Sequence, residues 1–134
     1  MPVIVTVDHE HQAVSGVCIG PVTLSDALSH VAHEVRERGL SYRKFVDTRG
    51  SGFQLNVDDL QQIAEVLREQ SKEHVLGPAA IMVSSDAVLE MVQALGKLVE
   101  TFLEMRAFRD EKEARQWLAS RPIRSGQSPS KPSK

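Results

Sequence analysis

The residues best equipped for chemistry gather at three places in the sequence. Asp47-Thr48-Arg49-Gly50 follows a short segment, Tyr42 to Val46, and sets a carboxylate, a hydroxyl and a guanidinium side by side. Ser84-Ser85-Asp86 follows the apolar run Ala79 to Val83. Ligands of open α/β sheets bind beyond the carboxyl ends of strands, so both clusters are expected on one rim. There they would stand beside helix N-termini suited to an anion or a partner's side chain. Such side chains also fix turns by local hydrogen bonds, and that plainer use is the expected one for Asp47, Thr48 and Arg49. The third place is the histidines: His9-Glu10-His11, and His30 with His33 near Glu34 and Glu37. Structural zinc takes about four ligands, which neither group supplies, so both read as solvated polar surface. At about 100° per residue, His33 falls opposite the Val31/Val35 stripe.

No familiar catalytic pattern completes these groups. Gly50-Ser51-Gly52 lacks the spacing of a phosphate loop, and there is no Gly-x-Ser-x-Gly elbow, Cys-x-x-Cys pair or dinucleotide fingerprint. His74 and His33 have no nucleophile or metal set at a fixed spacing to serve as base for. The single cysteine, Cys18, sits in an apolar run and reads as a small buried hydrophobe. It cannot close an internal disulfide, which suits a reducing cytoplasm. The expectation is a non-catalytic chain with no catalytic residue, cofactor or metal site.

The elements that must hold these groups follow from periodicity. Val3 to Val7 is a β-branched strand, Asp8 to His11 a turn, and Ala13 to Ile19 a second strand, together a hairpin. Thr23 and Asp26 form a capping pair for a helix carrying Leu24, Ala27, Leu28, Val31 and Val35, which Gly39 stops. The strand Tyr42 to Val46 is then closed by Asp47 to Gly50. A helix from Asn56 or Val57 carries Leu60, Ile63, Ala64 and Leu67, with Asp58 and Asp59 at the positive end of its dipole. Ala79 to Val83 reads as a central strand, Ser84, Ser85 or Asp86 as a cap, and Val88, Met91, Val92, Leu95, Val99 and Phe102 as a third helix stripe. Leu89, Ala94 and Leu98 widen that helix's apolar surface beyond the stripe, as an interface or ligand groove does. Met105 to Phe108 is a last strand, followed by a helix from Glu111 to about Ala119. A hairpin followed by alternating helices and strands predicts an α/β fold: about five strands in a mixed, mostly parallel sheet, with four helices.

Composition sets the bounds. The chain has 134 residues, 41% hydrophobic and 25% charged, which fits one globular domain. Aromatics are only 4%, so the core must be aliphatic. The segment 121–134, with Arg121, Arg124, Lys131 and Lys134 and no acid, reads as a disordered basic Ser/Pro-rich tail to a domain spanning 1–120. Without those four bases, twelve basic residues face eighteen acidic ones, a poor match for nucleic acid. There is no run of about 18 apolar residues to span a membrane and no basic segment leading an apolar stretch to mark a signal peptide.

Three stretches resemble a known group. They are Lys44-Phe45-Val46-Asp47-Thr48-Arg49-Gly50, Gly77-Pro78-Ala79-Ala80-Ile81-Met82-Val83, and Phe108-Arg109-Asp110-Glu111-Lys112-Glu113-Ala114-Arg115-Gln116-Trp117-Leu118. With the element order, they are similar to the SpoIIAA-like branch of the STAS domains. The last is similar to the F-R-D-x-x-x-A-x-x-W-L ending of many small bacterial proteins of that type. The resemblance spans roughly residues 3 to 119 and implies the fold first. It also implies a regulator. Well-known STAS members carry a phosphorylated Ser in an Asp-Ser-Ser-Gly-Leu turn, which falls here on Asn56-Val57-Asp58-Asp59-Leu60. Both serines and the glycine are missing, and Asp58 stands where the phosphoryl acceptor would. A fixed charge of about −1 there is smaller than that of a phosphoserine. The expected function is a cytoplasmic regulatory or protein-interaction domain. It would meet a protein partner or a second copy through Asp47, Thr48, Arg49, Asp58, Ser84 and Ser85. The alternative is a carrier or sensor of a small apolar or anionic, lipid-like ligand.

Overall fold

The computed structural model describes residues 3–121. Its elements are β1 (Val3–Asp8), β2 (Ala13–Val22), α1 (Leu24–Arg36), β3 (Arg43–Phe53), α2 (Val57–Ser71), β4 (Ala79–Met82), α3 (Asp86–Val99), β5 (Met105–Phe108) and α4 (Glu111–Ser120). One sheet holds all five strands in the order β1-β2-β3-β4-β5. β1 runs antiparallel to β2, and the later pairs are parallel. The predicted hairpin, alternation and mixed sheet are what the chain adopts. Of the predicted tail, all but Arg121 lies outside the described residues. The Arg121 carbonyl accepts hydrogen bonds from Arg43 Nε and Nη2 at 3.0 and 2.7 Å, and its guanidinium pairs with Glu104, so this residue is fastened to the body.

Each strand adds to the sheet next to its predecessor. The crossover helices α1, α2 and α3 therefore share one face, and α4 returns across the other. Alternation assigns the side chains. Cys18 of β2 and Lys44, Val46 and Thr48 of β3 face the three-helix side, while Phe45 faces α4. β4 is buried on both faces. Ala79 and Ile81 pack toward α3, and Ala80 and Met82 pack toward α4, where Ala114 and Leu118 meet them. That double burial explains its continuously apolar sequence.

The helix starts follow the sequence signals. Thr23 with Asp26, and Asn56 with Asp59, close reciprocal capping boxes on α1 and α2. Ser85 caps α3 by accepting from Val88 N, and Asp110 caps α4 by accepting from Lys112 N. The end of α1 departs from expectation. The left-handed residue is Arg38, at φ 61°, and not Gly39. Gly39 N donates to Glu34 O at 2.8 Å and Arg38 N to Val35 O at 3.2 Å, the paired bonds of a Schellman ending.

β3 also departs. The expected turn at Asp47 to Gly50 is strand, because β2 keeps pairing with β3 as far as Val22 and Phe53. Pairing with β4 stops at Asp47 and Met82. Between the Val17/Asp47 and Ile19/Gly50 pairs, Thr48 and Arg49 stand opposite Cys18 alone, a bulge that sends neighbouring side chains to different destinations.

Candidate functional site

At the bulge, Asp47 and Arg49 remain at the surface on the α4 side, and Thr48 turns inward. Arg49 Nε and Nη2 donate to the two Asp47 carboxylate oxygens at 3.0 and 2.8 Å, and Arg49 N donates to Asp47 Oδ1 at 3.0 Å. The same guanidinium reaches Glu111 at 3.2 Å, and Glu111 accepts from Arg115 at 2.9 Å. Arg115 in turn lies over the Phe45 ring, 4.0 Å from its centroid. Hydrogen bonds from Arg49 hold the Asp47 carboxyl below the ordinary carboxylate range. Arg115, and then Arg49, do the same for Glu111. The two carboxylates push Arg49 further up. Two acids and two bases neutralise one another here, so this end of the rim offers an anion no spare positive charge.

The other rim residues separate. Thr48 is 2% exposed and donates its hydroxyl to Met82 O at 2.5 Å, joining β3 to the end of β4 from inside. Ser84 Oγ donates to Arg49 O at 3.3 Å, which ties the β4–α3 loop to the bulge. Ser85 spends its hydroxyl on the α3 cap, and Asp86 pairs with Arg109. Asp58 is exposed in the first turn of α2 and enters no hydrogen bond or ion pair among the described residues. The structure thus joins Asp47, Arg49 and Ser84, adds Glu111 and Arg115, and removes Thr48 to the interior.

Beside this cluster, among the described residues, the β1–β2 part of the sheet face carries no helix. α4 packs on β3, β4 and β5. Ile4 of β1 and its cross-strand partner Val17 of β2 are left 53% and 42% exposed, and Ile19 is 54% exposed. Val17 is paired with Asp47, so this apolar strip borders the ion-pair cluster directly. The extra apolar residues of α3 behave differently. Leu89 packs into the core, Ala94 is exposed and Leu98 is 37% exposed.

On the opposite face the three crossover helices and the sheet line a partly open cavity of about 160 Å³, walled mainly by aliphatic side chains of α1, α2, α3 and the strands. Four polar side chains share its wall: His30, Glu34, Lys44 and Thr48. Their placement corrects the solvated reading of the His30/His33 pair. His30 is mostly buried, with Nε2 2.5 Å from Glu34 Oε2, and Glu34 is buried beneath it. The ring lies over β2 where Gly16 leaves room: a Cβ there would stand 3.3 Å from His30 Cε1. Lys44 Nζ donates to the carbonyls of Leu40, Tyr42 and Gly77 at 2.5, 3.1 and 3.3 Å. Burial pulls its pKa down to about 8, with the Glu34 charge opposing.

This buried set escaped sequence reasoning, although signals existed. Glu34 lies three residues beyond Val31, on the apolar stripe itself, and Lys44 shares its strand face with Val46. His9 and His11 do not act together. His9 Nδ1 meets Tyr42 Oη at 2.8 Å, and His11 is held by Asp8. No three metal-ligating side chains converge among the described residues. No helix there is long and apolar enough to cross a membrane. Cys18 is buried, and desolvation followed by the Asp47 charge raises its thiol to about 11.

No protein-family model matches the sequence, and no curated protein does. Solved structures do resemble the fold. One is an uncharacterised DUF3478-family protein with a SpoIIAA-like fold from Shewanella loihica PV-4. It is 14% identical over 87% of this chain and 93% of its own, with a TM-score of 0.60. Another is the anti-sigma factor antagonist SpoIIAA in its unphosphorylated form, 11% identical over 89% of this chain and 99% of its own, with a TM-score of 0.55. The chain thus shares the SpoIIAA-like α/β fold.

Proposed function

We propose that this chain is a non-catalytic regulatory domain that docks a protein through the open half of its sheet. The observation that carries the reading is the half-exposed strip of Ile4, Val17 and Ile19 bordering the neutralised cluster of Asp47, Arg49, Glu111 and Arg115. An apolar centre with a charged border is the make-up of a protein interface. The likeness to a protein described as an anti-sigma factor antagonist supports a protein partner over a chemical substrate. The partner is one that presents an apolar ridge, because the cluster's charges already cancel. Asp58, at the start of α2, supplies a fixed charge where STAS regulators carry a phosphorylated serine, so docking here is not switched by a kinase at that position. The lone buried Cys18 suits a reducing cytoplasm. Residues 1–120 form the working domain in this reading, with Arg121 fastened to it. The test is quantitative capture with the wild-type chain against Val17→Glu/Ile19→Glu, using Gln61→Glu/Gln62→Glu on α2 as control. A partner lost only with the β2 pair supports the reading. Equal retention by all three contradicts it.

A second reading is favoured by the cavity. About 160 Å³ of aliphatic-walled space inside the domain fits a small-molecule sensor, whose ligand would set the packing of α1–α3 on the sheet. Lys44 and Thr48 already spend their donors on backbone carbonyls, which favours an apolar ligand over an anionic one.

A further inference from the structure

We propose that the cavity takes a small uncharged hydrocarbon, about the size of one six-membered ring and without a polar group, benzene being its simplest form. The inference rests on the sensor reading above and names its ligand class.

Size comes first. An apolar cavity of about 150 Å³ holds benzene. The space here is about 160 Å³ and admits a single ring. Its walls are of the kind that grip one: Leu60, Ile63 and Leu67 of α2, Met91 and Leu95 of α3, and Ile81 of β4. Atoms that border such a space lack partners on one side, and an apolar ligand supplies them through dispersion contacts. Polarity comes second. Nearly all of the cavity surface is apolar. Lys44 Nζ places its donors on the carbonyls of Leu40, Tyr42 and Gly77, and the Thr48 hydroxyl donates to Met82 O. His30 Nε2 is engaged by Glu34 Oε2 at 2.5 Å, and His30 Nδ1, which has no protein partner, is shut away from any ligand by its own burial. A polar ligand would give up water's hydrogen bonds on entering, and a charged one would be buried without a partner. Both are costly. A hydrocarbon gives up nothing of the kind.

The cavity's place suits a sensor. Cys18 of β2 and Thr48 of β3 line it, while their neighbours Val17 and Asp47 stand on the other face of the same strands. Only the thickness of the sheet separates a bound ring from the strip proposed above for docking.

The test is titration of the folded chain with benzene, naphthalene, phenol and benzoate, read by calorimetry and by the methyl resonances of Ile63 and Met91. Benzene is expected to bind and to move both methyl signals. Phenol should bind roughly tenfold more weakly, because its hydroxyl is buried without a partner, and benzoate should not bind. Ala27→Leu, which builds side chain into the cavity from α1, should abolish benzene binding. Phenol or benzoate binding as tightly as benzene would overturn the hydrocarbon assignment, and naphthalene binding more tightly would overturn the size; either leaves the sensor reading intact. Binding of none of the four would overturn both. Benzene binding with Ile63 and Met91 unmoved, or unchanged in Ala27→Leu, would put the ligand elsewhere and overturn the proposal. If Ala27→Leu does not fold, the wild-type methyl shifts decide alone.

Discussion

Lys44 shows how a single side chain can be fixed by the fold and still be hard to read in advance. In the sequence it lies between Arg43 and Phe45, near the start of β3. Only when β3 is seated under α1 does its strand face become interior, and then its ammonium must find carbonyls. It finds those of Leu40, Tyr42 and Gly77, so it clasps the loop after α1 to the loop before β4. The charge is held at a cost. Burial lowers the pKa from 10.5 to about 8, so between those values the unfolded chain binds a proton that the folded chain does not, and stability rises with pH. Cys18 works in the opposite sense, because its thiol is raised from 9.0 to about 11 and its contribution is lost across that window. The Lys44 effect is therefore cleanest between pH 8 and 9. Urea denaturation there should show a gain of about 1 kcal/mol across the unit, absent in Lys44→Met. A flat or falling wild-type profile would contradict the buried ammonium.

At the scale of elements, what the sequence made legible was whatever depends on local geometry. The Thr23/Asp26 capping box, the helix stripes as far as Val99 and the doubly buried β4 rest on spacing alone, and they stand where they were expected. The misplaced features depend on neighbours. Asp47 to Gly50 looks like a turn, yet it stays in strand because β2 continues alongside it. The α1 ending shows the same lesson. Gly39 was the obvious left-handed residue, but Val14 Cγ2 lies 3.0 Å from where its Cβ would be, so close packing is its role and Arg38 takes the positive φ. A side chain in that conformation costs about 1 kcal/mol relative to glycine. Arg38→Gly should therefore raise stability by about that amount in chemical denaturation. No gain would mean that the ending is not strained. Gly77→Ala should do the reverse. Its Cβ would fall 2.1 Å from Tyr42 O and 2.5 Å from Ser41 O, against backbone that cannot swing aside. A loss of about 3 kcal/mol is expected, read as a lowered midpoint, and a neutral result would contradict the close approach of these two loops.

For the whole molecule, the fold class was legible because alternating periods and a leading hairpin admit few topologies. The candidate site was legible only in part. Asp47, Arg49 and Ser84 do meet, but their partners Glu111 and Arg115 come from α4, with Glu111 62 residues beyond Arg49, and no spacing announces them. The open half of the sheet is likewise a property of the assembled layers: α4 packs over β3, β4 and β5, and among the described residues no second helix lies beside it, so Ile4, Val17 and Ile19 stay in view. That uncovered strip is what the proposed docking depends on. Site-specific photocrosslinking in living cells tests it most directly, with the reactive side chain placed at Ile19 on the strip and, as control, at Gln62 on α2. The account predicts a discrete adduct heavier than the monomer from position 19 and none from position 62. No adduct at position 19, or the same adduct from both positions, would contradict it.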